Sequence, residues 1–159
     1  MDPVSITVGV IGTAAVALHA VHRLIEFVEI IKGAPKAVSD ILTDLKALAK
    51  LLEGLETTLS CTVTGTTEVQ TRMLRLLDEP LQNCKQLVSD VRDKLSTFVE
   101  PLSSDKKRVK WKKSFGWYNR EKEFTGLQKL LSSYKSSLEI ALSAANLWVS
   151  NLFSLTLSH

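Results

Sequence analysis

The sequence predicts an all-α fold, an up-and-down bundle of four to five helices, and three observations favour it. Three long stretches carry apolar residues at alternating spacings of three and four, which places each row on one helical stripe. Short connections join these stretches, as between antiparallel helices. The chain has 159 residues, 45% of them hydrophobic, with only seven glycines and four prolines. We therefore expect one helical domain over residues 1–159, and not a disordered or disulfide-scaffold protein.

The first predicted helix is the apolar N-terminal segment, residues 1–33. Asp2 and Pro3 favour a helix start, and Gly33 is expected to stop a helix that runs to Lys32. Alternating valines and isoleucines at positions 4–10 also fit a strand, but the apolar spacing from Val21 onward is helical. Because this helix is apolar on most faces, we expect it to lie centrally between the others.

The first candidate site is a seam of small residues at every fourth position of this helix: Ser5, Gly9, Thr13 and Ala17. Small side chains let another backbone approach closely. The seam indicates either close packing inside the bundle or a self-association and membrane-insertion face that acts after the helix leaves the bundle. The residues from Pro3 to His22 also carry no formal charge, and neither do those from Ile140 to His159. Each stretch is close to the roughly 20 residues that span a bilayer, but interspersed polar residues favour buried helices.

The other helices follow from their apolar rows. Pro35 is expected to open the second helix and Pro101 to end the third, while Pro80 predicts a kink or two abutting helices. The three rows are Val38, Ile41, Leu45, Leu48, Leu52, Leu55 and Leu59; Leu74, Leu77, Leu81, Cys84, Val88, Val91, Leu95, Phe98 and Leu102; and Phe124, Leu127, Leu131, Tyr134, Leu138, Ala141, Ala145, Trp148, Leu152 and Leu155.

The second candidate site is the basic and aromatic connection, residues 103–119. Its segment from Asp105 to Lys113 holds six basic residues and one acidic residue, a net charge of +5 in a chain whose total is +3. Basic residues interleaved with aromatic ones suit anionic lipid head groups. The same pattern fits single-stranded nucleic acid, which we do not expect as a partner, or anchoring of the connection by Val109, Trp111 and Phe115. The predicted lipid-surface patch is Lys106, Lys107, Arg108, Lys110, Trp111, Lys112 and Lys113.

Motifs for catalysis are missing from the sequence. It has no phosphate-binding glycine loop, no nucleophile elbow and no supported nucleophile–base pair, so we expect neither an enzyme nor a cofactor. His19, His22 and Glu26 have helical spacing, but they do not complete a tetrahedral set, and we expect no metal site. Cys61 and Cys84 lack metal-like spacing and are expected to be reduced.

Three segments resemble the HeLo-like N-terminal domain of fungal STAND proteins, the fungal NOD-like receptors. They are Met1–Ile6 before a Gly/Ala/Val-rich helix, Gly33–Lys36 before a leucine-rich helix, and Lys106–Lys112 followed by Glu121–Leu142. The resemblance covers most of the chain, from Met1 to about Leu147. It implies a cell-death effector of fungal innate immunity and incompatibility, related to the helical bundle of the mixed-lineage kinase-domain-like necroptosis executor.

The resemblance also implies a mechanism. A cytoplasmic protein would oligomerise, be recruited to the plasma membrane and permeabilise it with the freed Pro3–Val21 region, while Lys106–Lys113 holds the bundle on an anionic leaflet. The implied partners are anionic membrane lipids, further copies of the chain and a NACHT-type receptor in cis or in trans. The alternative is a passive helical adaptor or oligomerisation module that binds partner proteins.

Overall fold

The computed structural model describes residues 3–61, 68–101, 109–112 and 117–157, with side chains described over 8–60, 75–101, 109–112 and 122–144. Within these residues the chain forms four helices and a small three-stranded sheet. The elements in chain order are α1 (Pro3–Glu29), β1 (Ile31–Lys32), α2 (Lys36–Cys61), α3 (Glu68–Ser96), β2 (Val99–Pro101), β3 (Val109–Trp111) and α4 (Trp117–Leu157). The predicted helical bundle is confirmed, whereas the sheet was not predicted.

The helices pack in the spatial order α3, α1, α2, α4. Helix α1 packs against both α2 and α3, α2 packs against α1 and α4, and α3 makes a smaller contact with α4. The expected central position of α1 therefore holds only with respect to α2 and α3. One face of α1 remains open, because the side chains of Val8 and Val16 are 58% and 47% exposed.

The predicted apolar rows form the core. All seven row residues of α2 are buried, as are those of α3 from Leu77 to Leu95 and Phe98 just after it. In α4 the row is buried at Phe124, Leu127, Leu131 and Leu138, with Tyr134 half-buried between them. The row positions Leu74, Leu102, Ala145, Trp148, Leu152 and Leu155 lie outside the described side chains. Helix α3 continues through Pro80 as one helix, so the expectation of two abutting helices is wrong.

Two predicted helix ends are wrong, and the small sheet is the reason. The first helix ends at Glu29 and not at Lys32, and the third ends at Ser96 and not at Pro101. The residues that follow each helix pair with β3, which lies between β1 and β2, parallel to β1 and antiparallel to β2. These cross-strand hydrogen bonds replace the helical ones. Gly33 has a φ of +71° and turns the chain from β1 into α2.

Candidate functional site

The C-terminal segment of α1 (residues 22–29) is fastened to its neighbours by three contacts between charged or aromatic side chains. His22 Nε2 lies 3.4 Å from Glu53 Oε1, Glu29 Oε1 lies 3.3 Å from Lys46 Nζ, and the Arg92 guanidinium lies 5.3 Å from the centre of the Phe27 ring. The first two contacts join α1 to α2, and the third joins α1 to α3. Leu24, Ile25 and Val28 in the same segment are buried.

The N-terminal segment of α1 (residues 3–21) buries smaller side chains where they are described. Among its described side chains (residues 8–21), Val10, Ala14, Ala17 and Val21 are buried, with relative exposures of 2% or less, and the partly buried Ile11 and Leu18 pack against the same core. Valine and alanine remove less apolar area from water than leucine, so each contributes less to the packing free energy. The fully buried side chains of the N-terminal segment are therefore smaller than Leu24 and Ile25 of the C-terminal segment.

The predicted seam of small residues does not form one packed face. Ala17 is fully buried, whereas Gly9 is exposed, and a Cβ atom added to Gly9 would meet nothing within 4 Å. Thr13 is half-buried and its hydroxyl donates to the Gly9 carbonyl oxygen at 2.9 Å. The side chain of Ser5 lies outside the described residues. Four residues advance an α-helix by about 400°, so the seam winds by about 40° per step from the surface into the core.

The exposed part of this seam borders an open groove between α1 and α3. The groove has a volume of about 810 Å³ and is lined by Gly9, Gly12, Thr13, Val16, Gln82, Lys85 and Gln86. A Cβ atom at Gly12 would also meet nothing within 4 Å. The residues of α1 that line the groove are small and mostly apolar, whereas those of α3 are polar or charged.

Helix α1 also contains a segment with the length and composition of a membrane span. Among the described residues, Val8–Glu29 is the candidate: it has 22 residues and a mean hydropathy of 1.6, and 33% of it is buried. A core helix of a bundle meets the same criteria. The finding therefore permits membrane insertion of α1 without requiring it.

Only the middle of the basic connection is described. Lys106, Lys107, Arg108 and Lys113 lie outside the described residues. Lys110 is exposed, and its Nζ lies 3.4 Å from Glu100 Oε1 of β2. The backbone N–H of Lys112 donates to the Phe98 carbonyl oxygen at 2.8 Å, which fastens the end of β3 to the turn after α3.

Trp111 differs from the lysines beside it, because its ring packs against the bundle. It stacks on Phe98 with ring centroids 5.3 Å apart and contacts Phe124 at 5.5 Å. Its side chain is half-buried against the core. Trp111 thus anchors the connection to the bundle, which is the alternative that the sequence left open for Val109, Trp111 and Phe115.

The structure places the two candidate sites at opposite ends of α1. In the β1–β3 pair, Ile31 lies opposite Val109 and Lys32 opposite Lys110, so the basic connection meets the C-terminal end of α1. Val8 precedes Glu29 by about 32 Å of helix, at about 1.5 Å per residue. The seam and the described part of the basic connection are therefore separate surfaces in the folded chain.

Buried polar groups in the described residues serve the fold. The Tyr134 hydroxyl of α4 donates to the Pro80 carbonyl oxygen of α3, beside the buried free thiol of Cys84. Burial raises the pKa of Cys84 to about 11, partly opposed by its hydrogen bond with Tyr134. Burial also raises the pKa of Tyr134, with the nearby Cys84 adding to the effect. Neither group is prepared for reaction, because both are held protonated at neutral pH.

The described residues contain no group of three or more His, Cys, Asp or Glu side chains that could hold a metal ion. His22 contacts Glu53 of α2 instead of completing a site with His19 and Glu26. Two charged residues near the basic connection were missed by the sequence reasoning, Lys32 and Glu100. Lys32 is separated from Lys110 by about half of the chain, and no local pattern could have indicated their pairing.

One protein family matches the chain over its whole length. The family described as pigment biosynthesis cluster protein PigL N-terminal covers residues 1–159. No curated protein and no solved structure matches the chain.

Proposed function

Because the chain belongs to the PigL N-terminal family, a HeLo-like helical domain family, we propose that it is a cell-death effector that permeabilises membranes after oligomerising. The observation that carries the proposal is the asymmetric attachment of α1. Its N-terminal segment has no formal charge from Pro3 to Val21, and its fully buried described side chains are valines and alanines, whereas its C-terminal segment is held by the contacts of His22, Phe27 and Glu29.

The segment that leaves the bundle and inserts would be the N-terminal segment of α1. Residues 3–21 form about 28 Å of helix, at about 1.5 Å per residue, which is close to the roughly 30 Å of a bilayer core. An uncharged helix avoids the cost of about 2.5–3.5 kcal/mol for each Asp, Lys or Arg placed at the bilayer centre. Exposed Val8 and Val16 already present apolar surface before any rearrangement. These properties support insertion of the N-terminal segment (residues 3–21) and not of the C-terminal segment (residues 22–29).

The separation of the two candidate sites determines how the bundle would meet a membrane. The basic connection lies beyond the C-terminal end of α1, about 32 Å from Val8 by helix length. We propose that α1 bends near His22, so that its N-terminal segment moves away from α2 and α3 while its C-terminal segment and the sheet stay in place. Both surfaces then reach one anionic leaflet, and the basic residues gain about 1 kcal/mol each near it.

The proposal also names partners and a location. The partners are anionic membrane lipids, further copies of the chain, and a NACHT-type receptor in cis or in trans that brings the copies together. The resting chain would be cytoplasmic and would reach the plasma membrane on activation. No catalytic step and no cofactor enter this mechanism.

Vesicle leakage tests the proposal directly. The chain alone and the chain fused to a forced oligomeriser are added to dye-loaded phosphatidylserine vesicles, and both forms are expressed in fungal cells. We expect the oligomerised form to release dye and kill cells, with much weaker effects from the unfused chain. Intact vesicles together with surviving cells would refute the effector function.

The alternative is a passive adaptor that binds partner proteins. Exposed Leu130 and Ile140 on α4 favour it, since apolar side chains on a helix surface suit partner helices. Charge reversal across Lys106, Lys107, Arg108, Lys110, Lys112 and Lys113 separates the two functions. Loss of lipid binding with retained protein binding supports the effector, and the opposite result supports the adaptor.

A further inference from the structure

Three charged residues lie side by side on the outer face of the small sheet. Lys110 of β3 is in register with Lys32 of β1 on one side and with Glu100 of β2 on the other. Side chains of residues in register point to the same face of a sheet. Lys32 and Lys110 are exposed, whereas their strand neighbours Ile31 and Val109 are buried and half-buried. The sheet therefore turns its apolar face to the bundle and its charged face to solvent.

The charges in this row do not balance. Like charges directly opposite each other on adjacent strands are destabilising. Glu100 Oε1 lies 3.4 Å from Lys110 Nζ, and Lys32 lies on the other side of Lys110, so the row holds one carboxylate and two ammonium groups. The side chains of Lys110 and Glu100 are 51% and 43% exposed, which leaves the row accessible to an incoming anion.

We propose that the outer face of the sheet binds a phosphate group between Lys32 and Lys110, with Glu100 as a built-in competitor for Lys110. Adjacent strands lie about 4.8 Å apart, so the two flexible lysine stems can bring both ammonium groups to one phosphate. A lipid head group and a soluble phosphate offer the same chemistry. The lipid source rests on the membrane function proposed above, whereas the site itself does not. The site adds Lys32, from the end of α1, to a surface that the sequence placed entirely in residues 106–113.

Two substitutions with opposite expected effects test the site. Lys32→Gln removes one ammonium group, and Glu100→Gln removes the competing carboxylate. Lys50→Gln, at an exposed position of α2, makes the same charge change as Lys32→Gln away from the sheet and is the matched control. All three positions are substantially exposed, so circular dichroism is expected to show an unchanged helical fold.

Each variant is measured with two probes. Inorganic phosphate is titrated while the backbone amides of Lys32, Glu100 and Lys110 are followed by NMR, and sedimentation is measured with phosphatidylcholine vesicles that contain or lack phosphatidylserine. We expect Lys32→Gln to weaken binding about fivefold, as one lysine contributes near an anionic surface. Glu100→Gln should strengthen it by a similar factor, and Lys50→Gln should remain close to wild type.

The two probes separate this site from the membrane function. If phosphate shifts the three amides but anionic vesicles do not bind, the site stands with a soluble phosphate ligand and the membrane function fails. If vesicles and inorganic phosphate both bind equally to wild type and Lys32→Gln, and the vesicles leak equally, the membrane function stands and the site is refuted. The site is also refuted if neither probe shifts these amides, or if Lys32→Gln and Lys50→Gln behave alike.

Discussion

The indole ring of Trp111 lies on the ring of Phe98, with centroids 5.3 Å apart and planes inclined by 15°. Phe124 completes the cluster, 5.0 Å from Phe98 and 5.5 Å from Trp111. Phe98 follows the end of α3, Trp111 ends β3 and Phe124 lies in α4, so three separate elements meet at these rings. The cluster fixes the point at which the basic connection leaves the bundle.

Replacement of Trp111 tests whether its ring serves the fold or the membrane. Because the ring is half-buried in an aromatic cluster, Trp111→Ala should lower the free energy of unfolding by about 2 kcal/mol, less than the 3–5 kcal/mol typical of fully buried aromatics. Trp111→Phe keeps an aromatic contact and should lose about half as much. Urea unfolding measures both. Unchanged stability with weakened vesicle binding would instead identify Trp111 as a lipid anchor.

Rates of amide hydrogen exchange should distinguish the N-terminal and C-terminal segments of α1. The C-terminal segment has larger fully buried side chains and the contacts of His22, Phe27 and Glu29, whereas the fully buried described side chains of the N-terminal segment are valines and alanines. We expect amides of residues 8–20 to exchange on the order of tenfold faster than those of residues 22–29, as expected for a weakly held segment. Equal protection along the helix would contradict a hinge near His22.

The helices and their buried faces follow from the sequence because their periodicity is local. The 3–4 spacing from Val38 to Leu59 is sufficient to predict which face of α2 is buried. The sheet could not be predicted in the same way. Its strands have two or three residues each, and β1 pairs with β3 across α2 and α3, so no local pattern reports the pairing.

The same limit applies to the candidate sites. The sequence places Ser5, Gly9, Thr13 and Ala17 at equal spacing, but only the neighbouring helices determine that Ala17 is buried and Gly9 exposed. The basic connection is recognisable from its composition. Its position beside the end of α1, and the addition of Lys32 to its charged surface, depend on long-range strand pairing.

The hydrogen bond from Tyr134 to the Pro80 carbonyl oxygen ties α4 to α3. Tyr134→Phe removes the hydroxyl and keeps the ring, so we expect the free energy of unfolding to fall by about 1 kcal/mol, as for one partly buried hydrogen bond. Urea unfolding with an unchanged m-value measures the loss. Ser132→Ala, an exposed change on the same helix, should have little effect. A stability equal to wild type in Tyr134→Phe would show that this bond contributes nothing.

The raised pKa of Cys84 predicts a loss of stability at alkaline pH. Its folded pKa of about 11 lies above the ordinary value of 9.0, so the folded state keeps a proton that the unfolded state releases between these values. The contribution is complete below pH 9 and is lost as pH rises towards 11. Compared with Cys84→Ala, wild type should lose more of its free energy of unfolding over this range. A constant difference between the two proteins would contradict the shift.

The central claim is that the N-terminal segment of α1 inserts into the membrane, and a charge placed on the exposed face of this segment tests it. Val8 and Val16 are 58% and 47% exposed, so Val8→Lys and Val16→Lys should leave the bundle folded. A lysine near the bilayer centre costs about 2.5–3.5 kcal/mol, equivalent to more than a tenfold effect on insertion. Leu76→Lys on α3, at a position 75% exposed, is the matched control outside the inserted segment.

The decisive measurement is dye release from phosphatidylserine vesicles by the forced oligomers of these three variants and of wild type. The account predicts that Leu76→Lys releases dye as wild type does, whereas Val8→Lys and Val16→Lys release it at least tenfold more slowly. Dye release at the wild-type rate by Val8→Lys and Val16→Lys would contradict insertion of α1.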